Sequence, residues 1–211
     1  MRKSLEPWIA REDILRFLHA RQGVTEAQQQ EIEDALDEVF SCAAFRFVQK
    51  EATLTFDGKT PVLDKLIPLP YASLAHLFSD STTVYVVCCT LGQEIMRRIR
   101  RYFVTDAARA VVLDACASVV ADAYAACLQE GLPEETGMRF SPGYGDVPLS
   151  LQRPLFAWLD ATKRTGVSLS AGDLMIPEKS IVFLAGNHPK DNHEPGCDTC
   201  GLDCAYRKDR A

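Results

Sequence analysis

Residues 82–92 read TTVYVVCCTLG. Their β-branched and aromatic side chains favour an extended chain, and the uncharged run Val84–Leu91 is expected to be a buried strand. Gly92 then opens a helix, GQEIMRRIRRYF. A longer helix follows, capped by Thr105 with Asp106 at its first position, and runs to about Glu130 before Gly131 and Pro133. Its Ala and other small residues let it pack closely against a sheet on more than one side. Upstream, Phe45 to Phe56 alternates apolar and polar residues and ends at Asp57-Gly58, a hairpin signal. A short helix is expected from Tyr71 to Phe78. Earlier still, Ile14, Leu15 and Leu18 recur at helical spacing within residues 11–22, with Gly23 as the stop. Thr25 caps a second helix reaching about Phe40. Downstream, MRFSPGYGDVPLSLQ has two Gly and two Pro among fifteen residues and fits no regular element. A helix at about 151–163 and a strand pair around 167–185 complete the pattern.

Strands and helices are interspersed without a βαβ rhythm, an internal repeat or a low-complexity linker. The fold class is therefore α+β: a twisted mixed or antiparallel sheet with long helices, and a helical N-terminal segment, residues 1–44, packed on it. Residues 45–190 make the main body and residues 191–211 a cysteine-rich tail.

The composition narrows the function. The 211 residues carry 23 Lys plus Arg against 29 Asp plus Glu, a net charge of −6, with 47% hydrophobic and 25% charged residues. Disordered, collagen-like and rod-like chains are excluded. A chain of this length buries about 70% of its unfolded surface, so one core needs no disulfide staples. An acidic balance argues against nucleic-acid binding. No apolar run approaches the roughly 20 residues that span a bilayer, and the start, MRKSLEPWIAREDI, lacks the apolar core of a secretion signal. A cytoplasmic protein without membrane contact is expected. Its eight cysteines are then thiols, metal ligands or redox groups.

Chemistry concentrates in Arg139-Phe140-Ser141-Pro142-Gly143-Tyr144-Gly145-Asp146. Arg139 supplies a fork of five donors beside exposed backbone and an aromatic face. Gly143 and Gly145 allow backbone to approach a ligand. Such a loop suits a small zwitterion bearing a ring: Arg139 for the carboxylate, backbone for polar edges, Tyr144 for stacking. A rigid surface loop with a solvated Arg is the competing reading.

The segment resembles the reactivation domain of cobalamin-dependent methionine synthase and its stand-alone relatives, which bind S-adenosylmethionine (AdoMet). The shared core is Arg-x-x-Pro-Gly-Tyr, matched by Arg139, Pro142, Gly143 and Tyr144, continuing through Gly145, Asp146, Pro148, Leu149 and Gln152. Matches in order elsewhere include Thr90-Leu91-Gly92, Leu113-Asp114-Ala115, Ser118, and Pro177 with Lys179-Ser180. The likeness spans about residues 10–190. It implies AdoMet binding for reductive methylation of cob(II)alamin held by a partner corrinoid methyltransferase, most naturally methionine synthase, with an external electron donor. By the same resemblance Arg139 meets the AdoMet carboxylate, backbone at Phe140 and Ser141 holds the adenine edge, and Tyr144 packs near the sulfonium. Asp122 on the long helix, where relatives more often carry Glu, reaches the amino group, with Asp114 as the alternative. The paired tyrosines that enclose the ligand in the methionine-synthase form are missing after His188-Pro189.

Cys197, Cys200 and Cys204, with His193 or His188 as a fourth ligand, have spacing that can hold Zn²⁺ or an iron–sulfur cluster. Free thiols or a disulfide are the alternative. Asp191-x-His193-x-x-Gly196 matches a corrinoid-ligating spacing but lacks the α/β domain that must follow it, so cobalamin is expected to come on the partner. Arg97, Arg98, Arg100 and Arg101 share a helix and either dock an acidic partner or form a solvated face. Cys42, Cys88, Cys89, Cys116 and Cys127 are expected to be small core residues, and His19 and His76 structural. Three functions remain in competition: an AdoMet-binding activation subunit, a zinc or iron–sulfur redox module acting through the tail, and an assembly protein for a corrinoid partner that does not use AdoMet.

Overall fold

The computed structural model of the chain describes residues 1–20, 23–133 and 135–187. Its centre is a five-stranded antiparallel sheet in the order β3-β2-β1-β4-β7. The strands are β1 (Arg46–Asp57), β2 (Thr60–Leu63), β3 (Ile67–Pro68), β4 (Thr83–Thr90) and β7 (Ser180–Gly186). A separate small hairpin joins β5 (Ser168–Leu169) to β6 (Met175–Ile176). Strand β1 pairs with β4 through its first eight residues and with β2 through its last four, so it links the two parts of the sheet. The Asp57-Gly58 turn falls where expected, with Gly58 at positive φ.

The helices are α1 (Arg2–Leu5), α2 (Arg11–Phe17), α3 (Glu26–Cys42), α4 (Ala72–Leu77), α5 (Gln93–Thr105), α6 (Ala107–Glu130), α7 (Gln152–Leu159) and α8 (Ala161–Thr165). Thr25 caps α3 through a full capping box with Gln28. The cap of α6 sits one residue later than the sequence suggests. Asp106, not Thr105, accepts from the Arg109 N–H at 3.1 Å, because α5 continues to Thr105. The helix expected over 151–163 breaks at Asp160, whose φ of 54° ends α7 and starts α8.

Strand β4 explains the uninterrupted apolar run. Tyr85, Val87 and Cys89 face one core with Phe183 and Ala185 of β7, and that core is closed by α2, α3, α5 and α6. Val84, Val86 and Cys88 face a second core with Val182 and Leu184, closed by α4, α7 and α8. A strand covered on both faces needs apolar residues at every position, not at alternate ones. The N-terminal helices reach the sheet through α6, on which α1, α2 and α3 pack. Side chains of α6 are buried on several sides, from Ala110 and Leu113 to Tyr124 and Ala125. Small side chains at these positions let neighbours approach closely.

Helix α6 is interrupted by Asp114 and Asp122 but has a high mean hydropathy over its length. By length and composition α6 is able to cross a bilayer, yet 56% of its most apolar window is buried inside this protein. It is the core helix of this fold.

Candidate functional site

Strand β7 is an edge strand, and an unpaired edge seeks hydrogen-bond partners. The segment 136–140 supplies them. Thr136 bridges Asn187 and Phe140 bridges Leu184. The Phe140 N–H donates to the Leu184 C=O and the Leu184 N–H to the Phe140 C=O, both at 2.8 Å, and Gly137 N–H reaches Gly186 C=O at 3.0 Å. Arg139 is thereby held on a fixed backbone beside α6. Its Nη2 lies 2.7 Å from Asp122 Oδ1 on that helix. Its Nη1 donates to Gln129 Oε1 at 3.5 Å.

Beyond Phe140 the chain turns sharply. Gly143 N–H donates to Val147 C=O at 2.8 Å and Val147 N–H to Tyr144 C=O at 3.1 Å. Gly143 has φ +101°, and a Cβ there would sit 2.8 Å from Leu149 Cδ2. The turn is then pinned from below. Asp146 Oδ2 accepts from Ala72 N–H at 2.7 Å and from Ser73 N–H at 3.3 Å, at the start of α4. Hydrogen bonding from the Ser73 side chain, helped by these backbone donors, holds the Asp146 carboxyl below the usual aspartate range. Asp146 positions the loop and does not line the cleft.

Loop, α6, the β6–β7 turn and α7 enclose a cleft of about 560 Å³. Asp122, Arg139, Phe140, Ser141, Pro142 and Tyr144 all line it. Gly143 shapes the turn behind them. Tyr144 is 70% exposed and stands at the mouth. The Phe140 N–H donates to Leu184, so its backbone has no free donor, while its C=O, which accepts from the Leu184 N–H, keeps a second lone pair.

The other stretches singled out by sequence converge nearby. Lys179 Nζ lies 2.8 Å from Asp114 Oδ1 and donates to Ser118 Oγ at 2.8 Å. Ser180 Oγ donates to Thr90 Oγ1 at 2.7 Å, and Leu91 N–H donates to Lys179 C=O at 2.9 Å. These contacts tie the end of β4 to the start of β7 and to α6. Asp114 is committed to Lys179 and is not in the cleft wall, whereas Asp122 is.

The arginine face carries ion pairs of its own. Arg98 pairs with Glu38 at 3.1 Å, Arg97 with Glu94 at 3.4 Å and Arg100 with Glu178 at 2.9 Å. All three arginine side chains remain 41–69% exposed, so the face stays solvated. Cys197, Cys200, Cys204, His193 and His188 lie outside the described residues. Among the described residues no group of three or more His, Cys, Asp or Glu is placed to hold a metal ion.

Sequence reading assigns no role to Gln152 and Glu178 or to the apolar wall of Leu149, Leu174 and Met175, which also line the cleft. The available signal is the 139–152 motif itself, which includes Leu149 and closes on Gln152. Leu174 and Met175 come from the β5–β6 hairpin, whose two-residue strands carry too little pattern to read.

The chain is an α+β protein whose sheet edge, braced loop and long helix form a cleft with a paired cation and anion at its wall. Its fold is similar to that of the MetH reactivation domain bound to AdoHcy, seen in a crystal structure, with a TM-score of 0.69 and 15% sequence identity. The match covers 90% of this chain and 77% of that one. No protein-family model matches the sequence, and no curated protein matches it either.

Proposed function

We propose that the cleft binds AdoMet and that the protein serves reductive methylation of a cob(II)alamin carried by a partner corrinoid methyltransferase, with methionine synthase as the first candidate. The observation that carries the reading is the Arg139–Asp122 pair in the wall of the cleft. An amino acid end brings a carboxylate and an ammonium together. Such a ligand replaces the pair's internal contact with two external ones and leaves neither charge bare. The remaining lining, Leu149, Leu174, Met175 and Val182 with Tyr144 at the mouth, suits a nucleoside. A volume of about 560 Å³ falls within the usual range for small-molecule sites. The likeness to a domain bound to AdoHcy supports the same ligand class.

When bound, AdoMet supplies a methyl cation to cob(I)alamin, which an external one-electron donor forms from cob(II)alamin on the partner, leaving methylcobalamin and AdoHcy. The chain's own residues bind and orient. Arg139 and Asp122 fix the amino acid end, the Gly143 turn and its Asp146 anchor hold Tyr144 in position, and the open mouth leaves the sulfonium methyl facing outward. The binding unit is residues 45–190, with residues 1–44 bracing α6.

Titration calorimetry tests this. AdoMet is expected to bind saturably, and Arg139→Ala to weaken it about 10–150-fold, the loss of a charge-assisted hydrogen bond worth about 1.5–3 kcal/mol. No heat from folded wild-type protein sinks the reading.

A further inference from the structure

Gln152 opens α7 and is 3% exposed, yet its Oε1 has no hydrogen-bond partner. It lines the cleft described above. A buried acceptor without a donor is costly, and most such groups in native proteins are paired. We infer that Gln152 is a specificity-determining residue that accepts from the exocyclic amine of a purine, so that the cleft reads the base of its nucleoside ligand. The inference rests on the proposed AdoMet reading and adds to it the residue that recognises the base.

Three observations converge. Arg139 and Asp122 already answer the amino acid end, so the ligand's other polar end needs its own partner. The wall shared with Gln152 is Leu149, Leu174, Met175 and Val182, apolar surface suited to a flat ring. The Phe140 N–H is spent on Leu184, so that backbone has no donor left for the ring's edge. The last torsion of a glutamine side chain is broad and roughly two-fold, so the carboxamide turns toward an arriving amine without leaving its rotamer. Glutamine pairs with adenine by this chemistry in other settings, its Oε1 accepting from the N6 amine.

The test compares AdoHcy with its analogue in which the exocyclic amine is replaced by hydrogen, on wild-type protein and on Gln152→Met. Wild type is expected to bind AdoHcy about tenfold or more tightly than the analogue, the worth of one buried hydrogen bond. In Gln152→Met that factor is expected to shrink to under about threefold, a coupling that a merely structural role does not produce. Gln152→Glu keeps an acceptor and is expected to keep the preference. Equal binding of the two ligands by wild type overturns the inference without any variant, and so does an undiminished preference in a folded Gln152→Met protein. Both results leave AdoHcy bound and the wider reading intact. Absence of AdoHcy binding removes both.

Discussion

Arg139 and Asp122 stand seventeen positions apart in sequence and meet at 2.7 Å across the cleft wall. One comes from a segment zipped onto the edge of β7, the other from the middle of α6. With side-chain exposures of 27% and 62%, the pair is worth about 0–1 kcal/mol to folding. It is therefore cheap to open, as the proposed exchange for a zwitterionic ligand requires.

That asymmetry between stability and binding is measurable. Arg139→Ala and Asp122→Asn are each expected to lower Tm by no more than about 4 °C, since about 1 kcal/mol moves a domain of this size by only a few degrees. Both are expected to weaken AdoMet at least tenfold while leaving methylthioadenosine, which lacks the amino acid end, within about twofold of wild type. Equal losses for the two ligands in calorimetry refute the assigned contacts.

The turn that carries Tyr144 depends on Gly143. At φ +101° a side chain is strained whatever the space, and the Cβ of Gly143→Ala also presses on Leu149 at 2.8 Å. The variant is expected to cost about 1–3 kcal/mol. Gly145→Ala, at φ +57° and with Ser73 Oγ at 3.3 Å, lies in the ordinary left-handed region and is expected to cost less. Chemical denaturation of the two proteins ranks them, and a Gly145→Ala protein less stable than Gly143→Ala contradicts the account.

Much of this was legible in the sequence where one pattern maps onto one environment. Val84–Leu91 reads as a buried strand because no position on it carries a charge. Thr25 and Gln28 announce a helix start because the capping box is local. The Arg139 loop stands out by its Pro and Gly. What stayed hidden is long-range. Nothing in the sequence near Phe140 says that its backbone will pair with Leu184, or that Arg98 will find Glu38 and Arg100 Glu178. The break at Asp160 is a left-handed residue that helical spacing alone does not reveal.

Cysteine chemistry separates core from surface. Cys88, Cys89 and Cys116 are buried, and burial pushes all three thiols up, Cys88 and Cys116 to about 12. Almost no thiolate is present at neutral pH, and the thiolate is the nucleophile. Alkylation followed by mass spectrometry is expected to leave these three unmodified in the native protein and to label them fully in denaturant. Rapid native labelling of Cys88 or Cys116 contradicts the burial.

Glu38 provides a pH signature for the helical layer. Its side chain is 8% exposed and bonds Arg109 at 2.6 Å, Arg98 at 3.1 Å and the Tyr102 hydroxyl at 3.1 Å, joining α3, α5 and α6. Burial opposes ionisation, but the hydrogen bonds from Arg109, Arg98 and Tyr102 outweigh it and hold the carboxyl below the usual glutamate range. A depressed folded-state value means that the unfolded chain takes up the proton first. The stabilisation is whole at neutral pH and is lost from about pH 5 downward as the folded value is passed. Glu38→Gln keeps the shape but not the charge, and is expected to cost about 1–2 kcal/mol at pH 7, discounted for the half-exposed arginines. Its cost is expected to shrink as pH falls through the acid range, so that the two unfolding curves approach each other. A wild-type advantage that grows with acidity in thermal melts rules out this clamp.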